Sequence, residues 1–216
     1  MQRAIRAVLW DFGGVILSSP FEAFNHYEAE RGLPRDFIRR LNATNPDDNA
    51  WARLERGSVD LDEFCRLFEA EAVAQGFPID AREILARLSG EVRPEMVATL
   101  KRVRTRYKTA CLTNNVRSGE GPGMARSPER ARQIAEIMTL FDHVVESSRV
   151  GVRKPEPRFY QIACDLLAIA PEEAVFLDDL GINLKPAKAM GMRTIKVSSA
   201  AQAIAELEGV LGHSLR

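Results

Sequence analysis

Excess charge is the first thing this chain lacks. Lys and Arg together number 30 and Asp and Glu also number 30, so the formal net charge over 216 residues is zero. Without an overall positive field, composition offers no case for nucleic acid or an anionic membrane as partner, although a local patch can still hold a phosphate. Cysteine is scarce as well: Cys65, Cys111 and Cys164 are odd in number, widely spaced and flanked by apolar residues. With neither CxxC nor zinc spacing, the pattern argues against a disulfide framework and predicts reduced, mostly buried thiols. No apolar run reaches the ~18 residues that a membrane span needs. The opening Met1-Gln2-Arg3-Ala4-Ile5-Arg6 has no apolar stretch and no small-residue cleavage site. A soluble, cytoplasmic protein is expected. Oligomeric state is not legible, and no internal repeat is found.

What the chain does have is two apolar runs that end in acids. Ala7-Val8-Leu9-Trp10 leads into Asp11, and Ala174-Val175-Phe176-Leu177 leads into Asp178-Asp179. Short apolar runs read as buried strands, which puts both acid sets at strand carboxyl ends, where ligands collect in an open α/β sheet. Any one of these Asp residues could be a turn or helix-cap residue. Three together suggest Mg²⁺, a hard cation that uses one or two carboxylates beside waters and a substrate phosphate. Two further signals lie after other strands. Thr113-Asn114-Asn115 offers a hydroxyl and an amide for phosphate oxygens. Lys154 precedes Pro155-Glu156-Pro157, a helix entry where anions are favoured, although a lone surface Lys is the commoner case.

Organisation changes after Leu17. From about residue 20 to 88 the pattern is helical, with Phe21, Phe24, Tyr27 and Glu28 on one stretch and residues 34–41 on another. Leu61, Phe64, Leu67 and Phe68 mark a third, behind Asp60 as N-cap with Glu63 three residues on. A helix is predicted from Pro94 to about Arg104, and strands over 107–112, 143–146, 174–177 and 194–197, with helices between. The alternation predicts a doubly wound, Rossmann-like parallel sheet: residues 1–17 and 93–216 as the α/β core, 18–92 as an inserted all-helical cap. Residues 116–132, rich in Gly, Pro and Arg, read as an exposed mobile loop with solvated arginines, leading into a helix.

These motifs, in this order, resemble the haloacid dehalogenase-like hydrolase superfamily. Asp11-Phe12-Gly13-Gly14-Val15 is similar to its first motif, Thr113-Asn114 to the second, Lys154-Pro155 to the third and Asp178-Asp179 to the fourth. The longer stretches, residues 150–157 and 176–188, resemble the subgroup of the amino-terminal phosphatase domain of soluble epoxide hydrolase and small bacterial phosphatases. The resemblance implies a magnesium-dependent phosphatase acting on a small phosphorylated metabolite, such as a sugar phosphate. It implies that Asp11 attacks phosphorus to give an aspartyl-phosphate. It further implies that Asp11, the Gly13 carbonyl and Asp179 hold Mg²⁺, that Thr113, Asn114 and Lys154 hold the phosphate oxygens, and that Asp178 supports Lys154 or a metal-bound water.

One position departs from the family pattern. Most family phosphatases carry a second Asp two residues after the nucleophile as general acid and base, where this chain has Gly13. Three readings follow: a phosphatase favouring acidic leaving groups, a weakly active or inactive binding or regulatory relative, and a 2-haloacid dehalogenase, against which the paired Asp178-Asp179 stands. Gly13 could also answer a need for positive φ or a close approach to the cap. Within the cap, His26, Trp51, Arg53, Glu55 and Arg56 are the candidates to face the site.

Overall fold

A computed structural model describes residues 3–88, 90–116 and 127–215. Five parallel strands form the sheet: β1 (Ala7–Trp10), β2 (Lys108–Thr113), β3 (His143–Glu146), β4 (Ala174–Asp178) and β5 (Arg193–Lys196), in the order β3-β2-β1-β4-β5. Chain order reverses about β1, which makes the sheet doubly wound and creates a crevice at its carboxyl edge. The register sets that edge level. Trp10 pairs with Cys111 on one side and Leu177 on the other, so Asp11 and Asp178 emerge together.

β1 is apolar throughout, and β4 is apolar up to its final Asp178, because both faces of the sheet are covered. Alternate residues divide between two cores. Val8, Trp10, Val175 and Leu177 face the helices α6 (Pro94–Val103), α7 (Pro128–Met138) and α11 (Ala200–Leu211). Ala7, Leu9, Ala174 and Phe176 face α9 (Pro157–Leu167) and α10 (Gly181–Ala189). The one-turn α8 (Ser147–Val150) follows β3. Cys65, Cys111 and Cys164 are free and buried, as the sequence predicts.

Between β1 and α6 lie five helices: α1 (Pro20–Glu30), α2 (Phe37–Ala43), α3 (Ala50–Glu55), α4 (Leu61–Ala74) and α5 (Ala81–Ala86). They enclose a third apolar core of their own, centred on Phe24, Tyr27, Phe64 and Phe68. Asp60 caps α4 by accepting from the Glu63 N–H at 2.8 Å. The helix expected over 34–41 starts later, at Phe37, because Glu28 takes the Asp36 and Ile38 N–H groups at 2.7 and 2.8 Å. The chain leaves and re-enters the sheet domain side by side. Leu17 and Val92 form an antiparallel bridge, Ser18 N–H donates to the Glu91 carbonyl at 2.7 Å, and Arg93 N–H to the Ile16 carbonyl at 2.9 Å.

The expected loop over 116–132 falls largely on residues 117–126, outside the described residues. At its start the expectation fails: Val116 is buried in the core of the helical module. Arg130 is likewise not a solvated arginine, since its guanidinium reaches the Gly90 carbonyl. Among the described residues no helix is long and apolar enough to cross a membrane.

Candidate active site

Asp11 follows β1 directly and turns its carboxylate back on the chain, its Oδ1 accepting from the Phe12 N–H at 2.6 Å. The turn closes where Leu17 N–H donates to the Phe12 carbonyl at 2.9 Å. Gly14 is essential to it. Its φ is +78°, and a Cβ there would lie 2.3 Å from the Asp179 carboxyl carbon. Gly13 is different: φ is −68°, and a Cβ would meet nothing within 4 Å. Neither positive φ nor a close approach accounts for Gly13; Gly14 is the residue to which both apply.

Lys154, from the loop before α9, is the largest charged side chain fully buried among the described residues. Its ammonium lies 2.7 Å from Asp11 Oδ1 and 2.9 Å from Asp178 Oδ2. A buried ammonium demands this kind of pairing, because isolated it would cost several kcal/mol. Asp178 is saturated: Oδ1 accepts from Leu180 N–H at 2.8 Å, both oxygens accept from Asn183 Nδ2, and Oδ2 takes the lysine. Asp179 is only half-buried, and its Oδ2 accepts from the Ser19 hydroxyl at 3.0 Å. Oxygens of Asp11, Asp178 and Asp179 all lie within 4.8 Å of one another.

Three acids therefore face one ammonium. Burial pushes the Asp11 carboxyl well above the usual carboxylate range; Lys154 opposes this, while Asp178 and Asp179 add to it. Burial and then Asp178 raise Asp179 in the same way. For Lys154, burial works against the charge, but Asp11 and Asp178 outweigh it and hold the ammonium above the ordinary lysine value. The cluster has more negative charge than its own lysine balances, and its donors are all hard oxygens. Those are the conditions that suit Mg²⁺.

Thr113 and Asn114 emerge from β2 beside this cluster. Asn114 is already committed: its amide donates to the Lys154 carbonyl at 3.0 Å and to Glu55 Oε2 at 3.0 Å, while its Oδ1 accepts from the Lys154 N–H at 2.9 Å. Above the cluster opens a cavity of about 460 Å³, shared between strand ends and helical module. The sheet contributes Asp11, Thr113, Lys154 and Asp179. The module contributes a mainly apolar wall of Phe21, Phe24, Trp51 and Leu88, with Arg39, Asn42 and Glu55 as its polar members. Of the module candidates read from sequence, Trp51 and Glu55 line the cavity. His26 is exposed, Arg53 pairs with Asp48 at 2.7 Å and Arg56 with Glu156 at 2.9 Å, all away from it. Sequence reasoning missed Ser19, Arg39 and Asn42. Ser19 stands at the N-cap of α1, yet its hydroxyl serves Asp179 and makes no cap bond.

The match to the haloacid dehalogenase-like hydrolase family model runs over residues 5–191, and the chain belongs to that family. Bifunctional epoxide hydrolase 2 of Mus musculus is 33% identical over 224 residues, covering 97% of this chain and 39% of that protein. The chain thus spans about two fifths of that relative's length. Phosphatase MT3486 of Mycobacterium tuberculosis is 31% identical over 218 residues, covering 92% of this chain and 90% of the relative. A (S)-2-haloacid dehalogenase 1 of Pseudomonas is 30% identical over 205 residues, 90% of this chain and 85% of the relative. Among solved structures, a family enzyme from Bacteroides thetaiotaomicron in complex with magnesium and inorganic phosphate shares the fold. Its TM-score is 0.58 at 19% identity, over 94% of this chain and 99% of that one. The protein is a hydrolase of this family, with phosphatases among its relatives.

Proposed function

We propose that the protein is a magnesium-dependent phosphatase that hydrolyses a small phosphate monoester through an aspartyl-phosphate, in the cytoplasm. The observation that carries this reading is the buried Asp11–Lys154–Asp178 array beside Asp179, opening into a cavity large enough for a small organic ester. Asp11 is the nucleophile: a carboxylate oxygen attacks phosphorus in line as the ester P–O bond breaks, the departing alkoxide or aryloxide takes a proton from solvent, and water then attacks the aspartyl-phosphate at phosphorus to release inorganic phosphate and restore the Asp11 carboxylate. Lys154, fixed between two carboxylates, keeps Asp11 oriented and offers charge to the transferring oxygens beside the Thr113 hydroxyl. Asn114 contributes by holding both peptide groups of Lys154. Asp11, the Gly13 carbonyl and Asp179 would hold Mg²⁺, whose charge would offset that of the transferring group. Asp178, its oxygens already occupied, positions Lys154.

Residues 18–92 act as a cap over this site, entered and left through the Leu17–Val92 bridge. The apolar cap wall supports an ester with an apolar organic group over a sugar phosphate, whose hydroxyls would need more partners than Arg39, Asn42 and Glu55 provide. Gly13 favours a second reading, a weakly active relative with a binding role. The dehalogenase reading leaves Asp179 without a task. Turnover of an aryl phosphate with Mg²⁺, its loss in EDTA and acid-stable trapping of phosphate on Asp11 test the proposal. Halide release from a 2-haloacid with no phosphate release would replace it.

A further inference from the structure

Glu55 is an unexpected residue where it stands. It ends α3, and a carboxylate at a helix carboxyl terminus works against the macrodipole. It is also buried, which penalises its charge. Its partners explain what helix and burial do not. Glu55 Oε1 accepts from Trp51 Nε1 at 3.0 Å, while Oε2 accepts from Asn114 Nδ2 at 3.0 Å and Arg153 Nε at 2.5 Å. Arg153 also donates to the Pro46 carbonyl at 3.0 Å, so the whole group bridges helical module and sheet domain.

The bridge leads on to the lysine. The Asn114 amide that meets Glu55 is the one whose remaining hydrogen and oxygen pair with the carbonyl and N–H of Lys154. We propose that Glu55 is a positioning residue that couples seating of the cap to placement of Lys154, through Asn114. With the module in place, Glu55 fixes the Asn114 amide plane, that plane fixes the Lys154 peptide, and the ammonium is held against Asp11. If the module swings away, Asn114 loses one partner and the lysine loses its backbone register. The catalytic consequence rests on the phosphatase reading; the mechanical coupling does not.

A neighbouring contact provides the control. Arg56 and Glu156 form an ion pair across the same seam at 2.9 Å, and although Glu156 Oε1 also accepts from the Arg153 N–H at 3.2 Å, the partners of the Asn114 amide are Glu55 and Lys154. The Lys154 N–H is a direct reporter because it donates to Asn114. In hydrogen exchange followed by NMR, Glu55→Ala should speed exchange at the Lys154 amide by about tenfold, the size expected when one local contact is released, and Arg56→Ala should not. On an aryl phosphate with Mg²⁺, Glu55→Ala should lower kcat by about tenfold or more with little change in KM, since small displacements of a positioned group are costly. Glu55→Gln, which keeps an acceptor for Asn114, should recover most of both signals and also serves if the alanine variant folds poorly. Unchanged Lys154 exchange in Glu55→Ala, or equal effects in Arg56→Ala, would overturn the coupling. Faster exchange in a protein with no phosphatase turnover would uphold the coupling and remove the phosphatase reading instead.

Discussion

The sheet domain and the helical module are both well-packed apolar bodies, yet they answer to different constraints. In the sheet domain, buried polar side chains gather about the proposed site: Asp11, Thr113 and Asp178 at strand ends and Lys154 from the loop before α9 are all under a tenth exposed. In the module, buried polar residues mostly serve its own backbone. Glu28 caps Asp36 and Ile38, and Asn49 accepts from Ala52 N–H while its amide donates to the Asn42 and Thr44 carbonyls. Its aromatic centre packs edge to face, with Trp51 against Phe24, Phe64 and Phe68. On the proposed reading, the comparison assigns catalysis to one body and the choice of substrate to the other, with Glu55 among the residues that join them across the seam.

The largest expected effect breaks the comparison on the sheet side. Asp11→Asn should lower turnover by roughly 10³-fold or more, at or beyond the range seen for loss of a single charge-stabilising group, while far-ultraviolet circular dichroism stays unchanged. Residual activity above about a tenth of wild type would exclude a covalent role for Asp11.

Next come the paired acids, which the geometry separates. Asp179→Ala should raise the Mg²⁺ concentration for half-maximal activity by about tenfold or more, because it removes a charge that faces the cavity. Asp178→Ala should show its main effect in thermal melting, since taking one partner from a buried pair costs about 3–5 kcal/mol. Equal shifts in metal dependence for the two variants would contradict the assignment.

The adjacent glycines give a sharper contrast within a single turn. Gly13→Asp has room and an ordinary φ, so it should fold normally and raise kcat/KM on alkyl phosphates by up to ~10²-fold, more than on aryl phosphates. Gly14→Ala meets the Asp179 carboxyl and should lose activity and melting temperature together. An unchanged alkyl-to-aryl ratio in well-folded Gly13→Asp would mean that another group already supplies the proton.

The smallest effect belongs to the module. Leu88→Ala should raise KM for an aryl phosphate by about tenfold, in line with ~1–3 kcal/mol per apolar increment in a pocket, and leave kcat nearly unaltered. A fall in kcat with KM constant would place Leu88 in the catalytic machinery and weaken the division between the two bodies.

Much of the sheet was legible because its signals are local. Strand β3 runs over the residues expected, and β2, β4 and β5 depart by a single residue at one or both ends, since apolar runs bounded by turns leave little freedom. Asp11, Asp178 and Asp179 stand out for the same reason, since each follows such a run, whereas Lys154 is marked by the helix entry at Pro155-Glu156-Pro157. The module resisted. α3 is only six residues long, too short for a helical period to register. Arg39, Asn42 and Leu88 reach the cavity through tertiary packing that no spacing encodes. Val116 looked like the start of a loop, and is buried because the module closes over the end of β2. In the sequence Asn114 simply offers an amide to phosphate oxygens, and no spacing reveals that it also pairs with Glu55 and Lys154, 59 and 40 positions away.

The bridge between Leu17 and Val92 has a consequence for how the chain assembles. β1 and β2 are sheet neighbours, yet the entire module intervenes between them in sequence. Chain-closure entropy rises only slowly, by about 0.6 kcal/mol per doubling of loop length, but the search for distant partners still slows folding. A module that collapses on its own aromatic centre brings its two ends together, and β1 and β2 are then separated in effect only by the α6 crossover that a parallel pair requires. The insertion would act as a clasp, and the contact order experienced during folding would fall below that of the finished topology. We expect weakening the clasp by Phe64→Ala to slow refolding as well as hasten unfolding; a change confined to the unfolding limb of the chevron would show that the sheet finds its partners unaided.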